Sequence, residues 1–160
     1  MSHDSKANTA QAFVNYYKSK EYGKIYPSEF VVRIFLSELT NLKFKRPASN
    51  DIVVDTSCGY GRNLLFLCEQ GYKAYGTEVA QELCDDTTKR MQQFGYSPEI
   101  LVGKNHNLPF SDGFADYILA AYCIDNCDAG VVMSDNVKEY ARAIKDGGYL
   151  IASVIHKDFS

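Results

Sequence analysis

The chain reads as an α/β fold: a Rossmann-like parallel sheet of about five strands with helices on both faces, preceded by two N-terminal helices. Three observations predict it. Ile52-Val53-Val54-Asp55 is an apolar run ending in an acid, a turn containing Gly59 and Gly61 follows, and Leu64 to Cys68 is an apolar segment closed by Gly71, which together read as strand, turn, helix. Short apolar runs then alternate with segments of helical spacing as far as Ile155, an alternation that calls for parallel strands joined by right-handed crossovers. The 160 residues, 46% hydrophobic and 23% charged, match one soluble globular domain with a core of its own. We read residues 1–160 as that domain, with 1–50 a helical lead-in and 51–160 the Rossmann-like core.

The elements follow in order. Ala7 to Lys20 has Phe13, Tyr16 and Tyr17 on or near one helical face. Gly23 and Pro27 break that pattern, and Ser28 is placed to cap a second helix carrying Phe30, Val31, Ile34, Phe35 and Leu39. Arg46 to Asn50 is a connector. After the first strand and helix, Tyr72 to Thr77 is a second strand ending at Glu78. Ala80 to Phe94 is a helix with Leu83, Met91 and Phe94 at helical spacing and Gly95 as its stop. Glu99 to Gly103 and Asp116 to Ala121 are the third and fourth strands. Ser134 to Lys145 is helical, Asp146-Gly147-Gly148 ends it, and Tyr149 to Ile155 is the fifth strand.

Composition removes several classes of function. A net charge of −3 gives no broad attraction to phosphate backbones or anionic lipid, and Lys43-Phe44-Lys45-Arg46 is a local run. No stretch approaches a membrane span and the first ten residues are too polar for a signal peptide, so the expected location is cytoplasmic. Five cysteines, odd in number and mostly within apolar segments, suit free thiols. Cys123 and Cys127 lack a matching His/Cys cluster, and His3, His106 and His156 lie in separate segments, so no metal site is expected.

The candidate site is the turn after the first strand. Gly59 and Gly61 lack Cβ atoms, which lets a ligand approach the backbone beside the N–H groups of a helix start. A dinucleotide fingerprint needs G-x-G-x-x-G, whereas the candidates here are Ser57, Gly59 and Gly61, with Asn63 or Leu64 where the third glycine would stand. Asp55 just before the turn repels phosphates and attracts an ammonium or sulfonium group. The interval to Glu78 is that from a nucleotide-binding turn to the acid that accepts from ribose hydroxyls; the bland alternative is an acid at a helix start.

At these residues the chain resembles the class I S-adenosylmethionine (SAM) dependent methyltransferases, in particular the small-molecule kind of the type 11 family. Asp55-Thr56-Ser57-Cys58-Gly59-Tyr60-Gly61 is similar to that family's D-x-G-x-G-x-G, with Ser57 for the first glycine. Gly76-Thr77-Glu78-Val79-Ala80 is similar to G-x-D-x-S with Glu for Asp. Gly103 to Asp116 is similar to G-D-A-x-x-L-P-F-x-D-x-x-F-D, with Lys104 in place of the acid, and Arg142 to Leu150 to R-x-L-K-P-G-G-x-L, with Asp146 for Pro.

The resemblance implies SAM as cofactor and S-adenosylhomocysteine as product, bound by Asp55, Ser57, Gly59, Gly61, Glu78, Val79 and Asn105, and a small-molecule acceptor. It implies a lead-in helix that covers the cofactor with one of its rings. Tyr122-Cys123-Ile124-Asp125-Asn126 is not the acidic or Asn-Pro-Pro-aromatic motif of enzymes that methylate amino groups of DNA bases, so no nucleic acid is expected. His106 as a base and Asp125 as an orienting acid stand beside plainer structural roles, and no catalytic residue is assigned. A SAM-binding module without turnover is the alternative. The family's usual elements beyond the fifth strand are absent from the chain, so the expectation is an open fifth strand, paired with a second copy or covered by a further C-terminal segment.

Overall fold

The computed structural model describes residues 9–18, 26–37 and 43–154; the expected element ends at Ala7, Lys20, Leu39 and Ile155 lie outside them. The elements are α1 (Thr9–Lys18), α2 (Glu29–Leu36), β1 (Ile52–Asp55), α3 (Arg62–Glu69), β2 (Lys73–Glu78), α4 (Gln81–Gln93), β3 (Glu99–Val102), β4 (Ala115–Ala121), α5 (Met133–Ala143) and β5 (Ile144–Ser153). The five strands form one parallel sheet in the order β3-β2-β1-β4-β5. Chain direction reverses its walk across the sheet at β1, so β1 and β4 flank the switch point where open α/β sheets bind ligands.

Side-chain alternation sends each strand into two cores. Val53, Tyr117, Leu119 and Ile151 pack on one face with α3 and with Val31, Phe35 and Met91. Val54, Ile118 and Ala120 pack on the other with Tyr140 and Ala143 of α5 and with Leu108, Phe110 and Phe114. Helices therefore lie on both faces, as the alternating pattern predicts. Gly76 on β2 permits the close approach of the first turn, since a Cβ there would stand 3.0 Å from both Cys58 Sγ and Leu64 Cδ2.

Two local expectations are corrected. Ser28 occupies the N-cap position of α2 but its side chain makes no cap bond. Its backbone N–H instead donates to Asn63 Oδ1 at 3.0 Å, which ties the lead-in to the start of α3. The last helix does not run to Lys145. α5 ends at Ala143, Ile144 is already extended, and Asp146-Gly147-Gly148 lies inside β5 as an irregularity of the β4–β5 ladder. Gly148 is obligatory there, because a Cβ would lie 2.6 Å from both Asp116 O and Ile144 Cγ2.

The motif residues around this junction serve the fold. Arg142 pairs with Glu139 and Asp112, Glu139 accepts from the Leu108 N–H at 2.7 Å, and the loop between β3 and β4 is thereby clamped to α5. Lys145 pairs with Asp116, whose carboxylate also accepts from the Ile52 N–H at 2.8 Å and so links the starts of three strands.

On the face of β5 that carries Tyr149, the sheet is covered by Phe44 and Lys45, just ahead of the 46–50 connector. Phe44 packs edge-on against Tyr117 and Tyr149, which stack on each other, and the Tyr117 hydroxyl donates to Lys45 O at 2.7 Å.

Candidate functional site

A cavity of about 410 Å³ opens at the C-terminal ends of β1, β2 and β4, within the ~300–1,000 Å³ range of small-molecule sites. Asp55, Ser57, Gly59, Glu78, Val79 and Asn105 line it, so six of the seven expected residues come together. Gly61 is not on that lining. It is the N-cap of α3 at φ +76°, and a Cβ there would meet Thr87 Cγ2 at 3.1 Å and Met91 Sδ at 3.2 Å. Its glycine is required by the helix start and by the packing of α4, not by the cavity wall.

Glu78 organises the floor. It is 3% exposed, and its two carboxylate oxygens each accept one backbone N–H: Gly59 to Oε1 at 2.7 Å and Val79 to Oε2 at 3.0 Å. An ionised carboxylate oxygen has two acceptor sites, so each keeps one for a ligand hydroxyl. Burial raises the Glu78 pKa against the opposing effect of those N–H groups. Gly59, at φ +57°, also has its carbonyl held by Thr87 Oγ1 at 2.6 Å, so β2 and α4 both grip the turn.

Asp55 is 2% exposed, and its Oδ2 has no hydrogen-bond partner among the described residues. Burial, and then the neighbouring Glu78 charge, push its pKa up to about 8, with Arg62 and a bond from the Leu64 backbone pulling the other way. An enclosed, unpartnered carboxylate oxygen at the edge of a cavity suits a cationic group, which would satisfy it by charge as well as by hydrogen bonding.

Ser57 and Tyr122 are the non-glycine residues with positive φ among those described, at +50° and +60°, and both line the cavity. Left-handed backbone at such residues costs about 1–2 kcal/mol each and persists where the surroundings over-determine it. Ser57 is held by its hydroxyl, which donates to Asn105 Oδ1 at 3.1 Å; Asn105 Nδ2 in turn donates to Cys123 O at 2.9 Å. Asn105 is thus a brace between the first turn and the end of β4. Tyr122 lies beneath Arg62, whose guanidinium carbon is 5.9 Å from the ring centroid.

Sequence reasoning missed Arg62, Tyr122, Cys127 and Asp128 as lining residues; the loop after β4 carries no motif, and the φ of Tyr122 has no signature in residue type. Phe13 and Tyr16 of α1 line the cavity too, and Lys18 at the end of α1 pairs with Glu82 at the start of α4. His106 is half-buried on the lining, whereas Asp125 is exposed and off it. Cys123 is buried, its thiol bonded to Thr56 O at 3.3 Å and its pKa pushed up to about 12 by burial, which marks it as a packing residue rather than a nucleophile.

Strand order and switch point define a doubly wound α/β protein, with a buried acid at the end of each of β1 and β2 on its cavity lining. Residues 54–152 match the methyltransferase-domain family, and the chain belongs to it. Membership implies SAM as cofactor. The PH0226 protein of Pyrococcus horikoshii is similar in structure, with a TM-score of 0.65 at 23% identity over 86% of this chain and 64% of that one, which shows the fold. A SAM-dependent methyltransferase of Thermotoga maritima, named as a possible histamine N-methyltransferase, has a TM-score of 0.60 at 28% identity over 92% of this chain and 61% of that one. Among curated relatives, a protein of Oceanobacillus iheyensis named as an uncharacterized RNA methyltransferase is 28% identical over 94 residues, 59% of this chain. The chain spans 18% and 19% of the length of the two curated relatives it matches. No described helix is long and apolar enough to cross a membrane.

Proposed function

We propose that this chain binds SAM in the 410 Å³ cavity and transfers its methyl group to a small-molecule acceptor. The observation that carries the reading is the pair of buried acids: Asp55 with an unpartnered oxygen for a cation, and Glu78 with one acceptor site left on each oxygen for a pair of ribose hydroxyls. SAM, when bound, supplies a methyl group already activated on a positively charged sulfur. The protein's part is then to bind, orient and exclude water. Gly59 and Val79 N–H groups hold the Glu78 carboxylate in place. Phe13 and Tyr16 close the cavity from the α1 side, which favours an acceptor small enough to enter beneath a helix. His106 and Tyr122 line the same space, and neither is assigned as a base.

RNA as acceptor is the second reading, supported by the names of the curated relatives and opposed by the net charge of −3 and the roofed cavity. Titration calorimetry with SAM, S-adenosylhomocysteine and NAD tests the cofactor; NAD binding without SAM binding would overturn it. Transfer of labelled methyl from SAM is then measured against small amines, thiols and hydroxyl compounds in parallel with total RNA. Label in RNA alone would replace the small-molecule acceptor, and tight SAM binding with no transfer to any of them would favour a binding module.

A further inference from the structure

We propose that Asp128, held by Lys104, reads the purine edge of the cofactor and selects adenine over a keto purine. This rests on the SAM reading above. The cavity lining has three carboxylates, Asp55, Glu78 and Asp128. The first two stand at the ends of β1 and β2, where they suit the cationic and ribose parts. With β3 beyond β2 in the sheet, a ligand laid from the β1 turn across the end of β2 carries its base toward the end of β3, where Lys104 follows Val102 and Gly103.

Lys104 is no loose surface chain. Its backbone exchanges two hydrogen bonds with Asn107, at 3.1 and 2.8 Å, and its ammonium lies 2.6 Å from Asp128 Oδ2. Asp128 arrives from the loop between β4 and α5, and Asn105 pins that loop to the end of β3 through Cys123 O. The Asn105 amide is itself engaged by Ser57 and Cys123, and of the other side chains on this part of the lining the ammonium and the carboxylate are the charged donor and acceptor held side by side. A half-exposed ion pair of this kind adds little to stability.

Side by side, a carboxylate and an ammonium present an acceptor and a donor. Adenine presents the complement: its 6-amino group donates, and the adjoining ring nitrogens accept. A keto purine turns an oxygen lone pair toward that carboxylate instead, and the pairing fails. Asp128 would thus set the base specificity of the site.

The test compares binding of S-adenosylhomocysteine with its deaminated form, S-inosylhomocysteine, by calorimetry on the full chain. The wild type should prefer the adenine form by about 5- to 150-fold, the range of one good base-edge contact. Asp128→Ala should bring the ratio close to one, and Asp128→Asn, which retains an acceptor oxygen, should keep part of it, with the melting temperature of both variants near that of the wild type. A wild type that binds both forms equally, or an Asp128→Ala variant that keeps the full preference or weakens both forms alike, would overturn this proposal alone. Binding of neither form by the wild type would overturn the cofactor reading and this one with it.

Discussion

Asp55 sets a pH dependence that can be worked out with its sign. Its pKa rises from 3.8 when unfolded to about 8 in the folded chain, so the native state holds a proton that the unfolded state has lost across that interval. The contribution to stability is present below the unfolded value and is lost as pH climbs toward the folded one. Asp55→Asn should therefore raise the melting temperature of the ligand-free protein at pH 8 and leave it nearly unchanged at pH 4. Bound SAM would favour the ionised form and drive the proton off. Calorimetry near pH 7 in buffers of different ionisation enthalpy should show proton release in the wild type and none in Asp55→Asn.

Glu78→Ala is expected to weaken SAM by about 1.5–3 kcal/mol, the scale of hydrogen bonds to a charged group. Glu78→Gln should fall between, because an amide keeps one acceptor oxygen and sets its NH₂ against the Gly59 or Val79 N–H. An unchanged dissociation constant in both variants would remove Glu78 from the site. The positions of Asp55 and Glu78 on the lining were legible beforehand, Asp55 from a strand end followed by a Gly turn and Glu78 from its interval to that turn at the end of the second strand. The φ angles of Ser57 and Tyr122 were not, since neither residue type announces left-handed backbone.

Elements were legible wherever a strand and a helix differ in period. Ile52–Asp55 and Gln81–Gln93 fall within a residue or so of where alternation and helical spacing put them. The junction of α5 and β5 was misplaced because Asp146-Gly147-Gly148 has the composition of a helix stop, and a bulge uses the same residues. What distinguishes the two is the proximity of Asp116 O and Ile144 to Gly148, a contact made by folding. Gly148→Ala should accordingly destabilise by about 1–3 kcal/mol through overpacking, read as a lower urea midpoint at unchanged slope. Gly147→Ala meets no atom within 4 Å and would be strained only by its φ of +78°, which makes it the control for backbone strain without a clash.

At the scale of the whole molecule, the order β3-β2-β1-β4-β5 places Asp55 at the switch point and Glu78 on the adjacent strand. Among the described residues β5 pairs with β4 alone, and Leu150 and Val154 are 37% and 55% exposed. An apolar edge of that kind is a template for pairing. Sedimentation at micromolar concentration should show self-association that Leu150→Lys reduces; a wild type monomeric throughout would remove the edge from consideration. The Tyr149 face of β5, by contrast, is closed by the residues ahead of the connector, where the Lys45 N–H donates to the Tyr149 hydroxyl at 3.3 Å across 104 positions of sequence. A ribosome releases Lys45 long before Tyr149, so this contact forms after every intervening strand and helix has left the tunnel, and a long loop must close before it gives any return. The segment that leads into the first strand is in this sense fastened late: Phe44 and Lys45 stay uncovered until Tyr117 of the fourth strand arrives, and their contacts are completed only by Tyr149 of the fifth.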